Sequence, residues 1–355
     1  MRWLILLAGL VSWPAMAQDF GAAVLKTIDE AVLPAYERLA GSADRQAAAV
    51  EGLCAEPDAA ALDEARAGFA PLVAAYGGIE FVRFGPARDE FRHSRLYYWP
   101  DRRGRGLQQV QALLTGADPS ALAAGALAQK SVALQGLGAL EFALFGTDAD
   151  ADLIQPDSYR CRYAAAVARN MAAVAREIRE GWQGDGGFRQ VMAAPGPGNP
   201  RFRSPAETAQ TLIDAAREQI GFVRDHKLAA VIGGAPDEAR PRLAPLWRSG
   251  ATLDLVEANI RSVIALFAES RLDRLVLAAD PLLLEELQRE LQNALDAVRE
   301  AKALRNAGGD VFAGDEGHGL LLYATAPLGG VASILGERLP QALGLVSGFN
   351  ALDGD

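Results

Sequence analysis

The sequence predicts an all-α protein made of two helical-bundle halves, with a faint internal echo suggesting a pseudo-duplicated four-helix bundle. Three observations predict it. Apolar residues recur every three or four positions through most of the chain, the spacing that puts them on one helix face. Helix-start signals recur, with Ser204-Pro205-Ala206-Glu207 joining a capping box to a first-turn proline and Asp280-Pro281 repeating the cap-then-proline order. Alternating patterns bounded by turns are scarce, and Ala and Leu dominate over Val, Ile and Thr.

Residues 1–17 read as a signal peptide. Arg2 supplies the positive start, Trp3 to Val11 the apolar stretch, and Ala15-Met16-Ala17 a small-x-small cleavage site before Gln18. This predicts export to the periplasm. The stretch is short for a membrane span, and Pro14 follows it. An N-terminal half is expected over 18–183. Its stripes are Leu25, Ile28, Val32, Tyr36 and Leu39; then Leu62, Phe69, Leu72 and Tyr76; then Tyr163, Val167, Met171, Val174, Ile178 and Trp182. Residues 184–203 read as a linker, dense in Gly and Pro. A C-terminal half follows over 204–355, with Leu284, Leu287, Leu291, Leu295 and Val298 as its clearest stripe. The echo is Ile79-Glu80-Phe81-Val82-Arg83 against Ile220-Gly221-Phe222-Val223-Arg224, each followed by a Trp-containing segment. No segment of the mature chain is expected to cross a membrane. The most apolar run, Gly319 to Leu335, is interrupted by Pro327, Gly329 and Gly330.

Composition narrows the function. The 355 residues are 50% hydrophobic and 23% charged, which excludes a disordered or collagen-like chain. A net charge of -10 without a basic tract argues against nucleic-acid binding. Three His and two Cys exclude zinc-finger and iron–sulfur architectures. Oxidising conditions after export would pair Cys54 with Cys161; two buried thiols are the alternative. Nucleotide-binding glycine loops, a GxSxG elbow and HExxH are all absent from the sequence. Asp148, Asp150 and Asp152 imitate the start of a calcium loop, but Leu153 and Tyr159 stand where Gly and Glu are required. Asp310, Asp315, Glu316 and His318 are donors in a Gly-rich stretch that a surface loop explains equally well.

The segment from Arg83 to Gly106 is richer. It sets seven arginines among Tyr97, Tyr98 and Trp99, with Asp89, Glu90 and Asp101 between them. One reading is an aromatic-lined anion pocket, since Arg binds carboxylates in a fork and stacks on rings. The other is a loop docked by salt bridges. Arg83, His93, Tyr98, Trp99 and Asp101 are the ligand-binding candidates.

Gly136-Leu137-Gly138-Ala139-Leu140-Glu141-Phe142 lies in the apolar helical run from Val132 to Phe145. It resembles the GxHxxE signature region of the imelysin-like family. Ile79 to Pro86, Tyr98 to Asp101, Arg160 to Tyr163 and Trp247 to Gly250 fit in the same order, so the resemblance spans the mature chain. It implies a periplasmic α-helical protein linked to iron uptake, in a family that carries a metallopeptidase label. The motif Glu corresponds to Glu141, a candidate ligand for iron or another divalent metal. The motif His position is held by Gly138, so the local His–Glu pair cannot form, and His93, His226 or His318 would have to substitute. Gly138 is also a candidate ligand contact, or a helix-packing notch. Glu141 is either a metal or pocket carboxylate, or one half of a buried ion pair with one of the nearby arginines, such as Arg83. The expected site is a pocket with Glu141 near Arg83, bordered by the Tyr97–Trp99 loop. The functional expectation is a periplasmic binding or accessory protein of metal uptake. Its expected partners are a metal ion or small ligand and envelope iron-uptake components. A metal-dependent peptidase and a metal-free interaction protein are the alternatives.

Overall fold

The computed structural model describes residues 19–268 and 271–345, which are helical with no strand among them. The signal peptide and its cleavage point lie outside these residues. In chain order the helices are α1 (Phe20–Thr27), α2 (Leu33–Ala55), α3 (Ala59–Ala67), α4 (Phe69–Gly77), α5 (Arg92–Leu96), α6 (Arg105–Gly116), α7 (Gly136–Phe145), α8 (Ala149–Leu153) and α9 (Tyr159–Gln183). They continue as α10 (Phe188–Ala193), α11 (Pro205–Phe222), α12 (Ala230–Ile232), α13 (Thr252–Leu266), α14 (Asp273–Ala279), α15 (Pro281–Asn306), α16 (Asp315–Ser333) and α17 (Leu339–Leu343).

The sequence signals for helix starts are used as caps. Ser204 accepts from Glu207 N at 3.3 Å, and Glu207 reaches back to Arg203 N at 2.7 Å. Asp280 accepts from Leu282 N and Leu283 N at 3.1 Å each. Each such cap stabilises its helix by about 1 kcal/mol. The predicted stripes form the core: α2 packs on α9 and α15 on α16, burying Tyr36, Tyr163, Trp182, Leu287 and Leu291. Cys54 and Cys161 form a disulfide that closes a sequence separation of 107 residues across α2 and α9. In the chain-entropy account a loop of that length contributes about 4.7 kcal/mol.

Residues before and after the predicted linker share one continuous core. α4 lies against α13, and α1 against α11. Gly77 permits the first contact: a Cβ there would stand 2.8 Å from Ala258 Cβ and 3.0 Å from Leu255 O. Segment 184–203 holds α10, and Phe188, Met192 and Phe202 are buried. Its breakers bend the chain around these anchors.

The expectation of a broken apolar run is overturned. Helix continues from Asp315 to Leu343, with Pro327 inside α16 and a π-turn at Ile334–Arg338. By length and composition it is the one helix among the described residues that could cross a membrane. One face packs on α15 and α11, burying Leu321, Leu328, Val331 and Leu335. A second π-turn, Val223–Ala229, joins α11 to α12 and carries His226 and Lys227. Neighbouring helical residues point about 100° apart, so these two side chains serve different sites.

Candidate functional site

A cavity of about 630 Å³ opens between the 97–107 loop and α7 on one side and residues 226–248 on the other. That is the size of a small-molecule site. Its floor is α7. Gly136 starts this helix at φ +72°, where a Cβ would stand 2.2 Å from Leu96 O, so only glycine lets α7 begin under the 97–107 loop. One turn on, Glu141 is 4% exposed and faces the cavity. Its Oε1 accepts from Ser249 N at 3.0 Å and from Ser249 Oγ at 2.9 Å. Burial pushes the carboxyl above its ordinary range, against the opposing pull of Ser249 and Arg248.

The opposite wall is the tight loop before α13. Leu246 takes φ +55°, a costly conformation for a branched side chain. Two bonds hold it, Ala251 N donating to Leu246 O (3.2 Å) and Thr252 Oγ1 to Pro245 O (2.7 Å), with Ser249 Oγ lying 3.0 Å from Leu246 O. The turn stacks the Arg248 guanidinium 4.4 Å from the Trp247 ring centroid and 5.4 Å from that of Phe142. Arg242 lies 5.7 Å from the same Trp247 ring. Burial lowers the Arg248 pKa, against Glu141, while Arg242 adds like-charge repulsion.

The aromatic wall is the YWPD segment. Tyr97 stacks on Trp99 at 6.4 Å with 11° between planes, and Trp99 meets Phe222 edge-on at 5.6 Å. Tyr98 is 42% exposed at the rim. Asp101 Oδ2 accepts from Leu107 N at 3.0 Å, so its carboxylate secures the start of α6.

Of the predicted residues, Tyr98, Trp99, Asp101, Gly138 and Glu141 therefore line one cavity. Arg83 and His93 do not. Arg83 Nη2 donates to Glu80 Oε1 at 3.2 Å, and its guanidinium lies 4.5 Å from the Phe222 centroid. Arg83 is occupied there, and the charge beside Glu141 is Arg248. His93 packs on Tyr76 with Nε2 buried and unpartnered; burial, then Arg83, holds its pKa down at about 4. Two other arginines of the segment, Arg92 and Arg95, are docked as the salt-bridge reading expected. Arg92 pairs with Glu177 (3.1 Å), and Arg95 donates to Gln135 (3.1 Å).

Four other candidate donors have protein partners, while His226 lines the cavity. His318 Nε2 lies 3.2 Å from Ile232 O, and Asp310 accepts from Phe312 N and Ala313 N at 3.0 Å each. Asp150 pairs with Arg66 and Asp152 with Arg160. Sequence reasoning passed over Arg242, and noted Arg248 and Ser249 only within the Trp247–Gly250 match. That match was the one available signal.

The residues at Glu141 do not fit a metal ion. Gly138 offers no donor, Glu141 Oε1 takes two hydrogen bonds, and the nearest charged side chain is cationic. Among the described residues no three His, Cys, Asp or Glu side chains are grouped to hold one.

The sequence profile of the imelysin family matches residues 32–326. The fold is similar to that of an imelysin-like protein from Psychrobacter arcticum 273-4, with TM-score 0.74 and 18% identity, over 93% of this chain and 97% of that one. It is also similar to a protein from Parabacteroides distasonis ATCC 8503 named as an iron-regulated protein A precursor, with TM-score 0.71 and 17% identity, over 89% and 95%. At these identities the two likenesses concern the fold alone. No curated protein sequence matches the chain. With the matched profile covering most of its length, the chain belongs to the imelysin family.

Proposed function

We propose that the protein is an exported, periplasmic binding or accessory protein serving iron or other metal uptake, with the cavity above α7 as its ligand site. In this reading residues 1–17 are a cleaved leader, and the halves 18–183 and 204–355 each supply one wall. The observation that carries the reading is a ligand-sized cavity walled by aromatic rings, with one buried carboxyl, whose pKa burial raises, and two guanidiniums facing it. Such sites concentrate binding energy in aromatic contacts and take specificity from a few polar groups. The link to iron rests on the iron-regulated name of one structural relative. Because the residues at Glu141 do not fit a bare ion, the metal is handled through a ligand or an envelope partner.

Native mass spectrometry of protein recovered from the periplasm tests this. The expected result is an N-terminus at Gln18 and a bound small-molecule mass that is missing from a Gly138→Leu variant. A Cβ at position 138 meets only Tyr97 Cε2, at 3.8 Å, so the longer side chain has room to project into the cavity. A retained leader, or normal growth of a deletion strain on limiting iron, would overturn the reading.

A further inference from the structure

Two guanidiniums share one indole. Arg242 and Arg248 both lie over the Trp247 ring, and among the described residues neither has a carboxylate within 4 Å to form an ion pair. Glu141, the closest acidic group, is turned to Ser249. Arg102 lines the same cavity, again without an ion-pair partner among the described residues, and Arg103 and Arg105 follow it in sequence. An acidic protein with net charge -10 thus gathers Arg102, Arg242 and Arg248 around this cavity, against Asp101 and Glu141. Like charges held together cost free energy that an anion between them recovers. Arginine forks on an aromatic face match a planar carboxylate, which they bind through two parallel N–H···O bonds. The exposed faces of Tyr98 and Trp247 supply a flat apolar surface beside them.

Resting on the reading that this cavity is the ligand site, we infer that its ligand is a small planar organic carboxylate and not a bare metal cation. The carboxylate sits on Arg242 and Arg248, and the flat body lies against the wall formed by Tyr98, Trp99 and Trp247. The anion is drawn in by these arginines, as focused fields raise the capture rate of charged ligands. Glu141 stays off the ligand carboxylate while ionised, and donates a hydrogen bond to it when protonated.

The test is calorimetric titration of the mature protein with 2-naphthoate, its neutral counterpart 2-naphthalenemethanol, ferrous chloride and zinc chloride. Variants are Arg242→Gln, Arg248→Gln, Glu141→Gln and Gly138→Leu, each first checked for helical content. Tryptophan fluorescence gives a second readout, since Trp99 and Trp247 line the cavity and Trp182 is buried in the core. Naphthoate is expected to bind one to one, and the alcohol about tenfold more weakly or less. Each arginine variant is expected to weaken naphthoate about tenfold, as loss of one charge-assisted contact does. Gly138→Leu should abolish binding. The inference is overturned if naphthoate does not bind, if the alcohol binds equally, or if the arginine variants leave naphthoate affinity unchanged. If instead ferrous or zinc ion binds tightly and Glu141→Gln abolishes that binding, the anion is wrong and the cavity reading survives. If every binding event persists in Gly138→Leu, the cavity reading falls as well.

Discussion

Glu80 and Glu141 are both buried carboxylates, 3% and 4% exposed, yet they are held in opposite ways. Glu80 is held by three donors. Lys227 and Asn259 donate to its Oε2, the latter at 3.0 Å, and Arg83 donates to Oε1 at 3.2 Å. Lys227 is itself fully buried and donates to Asn259 at 2.7 Å. Burial pushes the Glu80 carboxyl up, but Lys227 and Arg83 outweigh it and hold the pKa near 2. Glu141 is held by the neutral Ser249, with Arg248 and an open cavity beside it, and burial wins. A carboxylate gripped by two cations and an amide joins pieces of structure; one with weaker partners and facing a cavity is available for chemistry. Glu80 ties the turn after α4 to the π-turn after α11 and to α13, so it belongs to the join between early and late parts of the chain.

The largest expected effect tests the joining role. Glu80→Ala leaves Lys227 buried without its anion and should cost about 3–5 kcal/mol in urea unfolding. Pairing Glu80→Gln with Lys227→Met should recover most of that loss, because an apolar replacement removes both desolvation costs. A single-variant loss under 1 kcal/mol would break the contrast.

Ser249→Ala comes next. It removes a hydroxyl donor from a buried carboxyl and should cost about 1.5 kcal/mol, measured the same way. It should also raise the Glu141 pKa further.

The smallest stability effect is expected at Glu141→Gln. The amide oxygen can still accept from Ser249, so stability should change by less than about 1 kcal/mol. The pH dependence sharpens the difference. The Glu80 pKa is below its ordinary 4.5, so its contribution is present above 4.5 and is lost as pH falls towards 2. The Glu141 pKa is raised, so its contribution is present below the ordinary value and is lost as pH rises through the folded value. The deficit of Glu80→Gln against the parent should therefore shrink on acidification below pH 4.5. The stability of Glu141→Gln relative to the parent should rise as pH increases above 4.5. Parallel profiles for the two variants would refute the assignment.

The sequence carried the fold further than the site for a physical reason. Helical stripes and caps are local, and Tyr163 through Trp182 announce a buried face without reference to anything distant. The YWPD segment was found through aromatic clustering, and Glu141 through the match to the imelysin signature region, where it is a charge inside an apolar helix. Arg83 was wrongly assigned to Glu141 because charge complementarity does not specify distance, and Glu80, three residues away in sequence, satisfied it first. Arg242 lies in an ordinary polar stretch, and only the fold over Trp247 gives it meaning. The echo of Ile79–Arg83 in Ile220–Arg224 also has a structural twist. The first copy is a turn and the second ends a helix, and the two touch where Arg83 lies over Phe222.

Phe222 stands between the two carboxylate environments. One face carries Arg83, with Lys227 within 5.4 Å, while Trp99 and His226 meet the same ring from the cavity side. A single residue is thus answerable to two constituencies. Genetic change at 222 would confound loss of folding with loss of recognition, so new ligand preferences would have to evolve elsewhere. Tyr98, Gly138 and Arg242 are the free positions, because each borders the cavity without bracing the join. A library confined to those three sites could diversify what the protein holds while leaving intact what holds the protein.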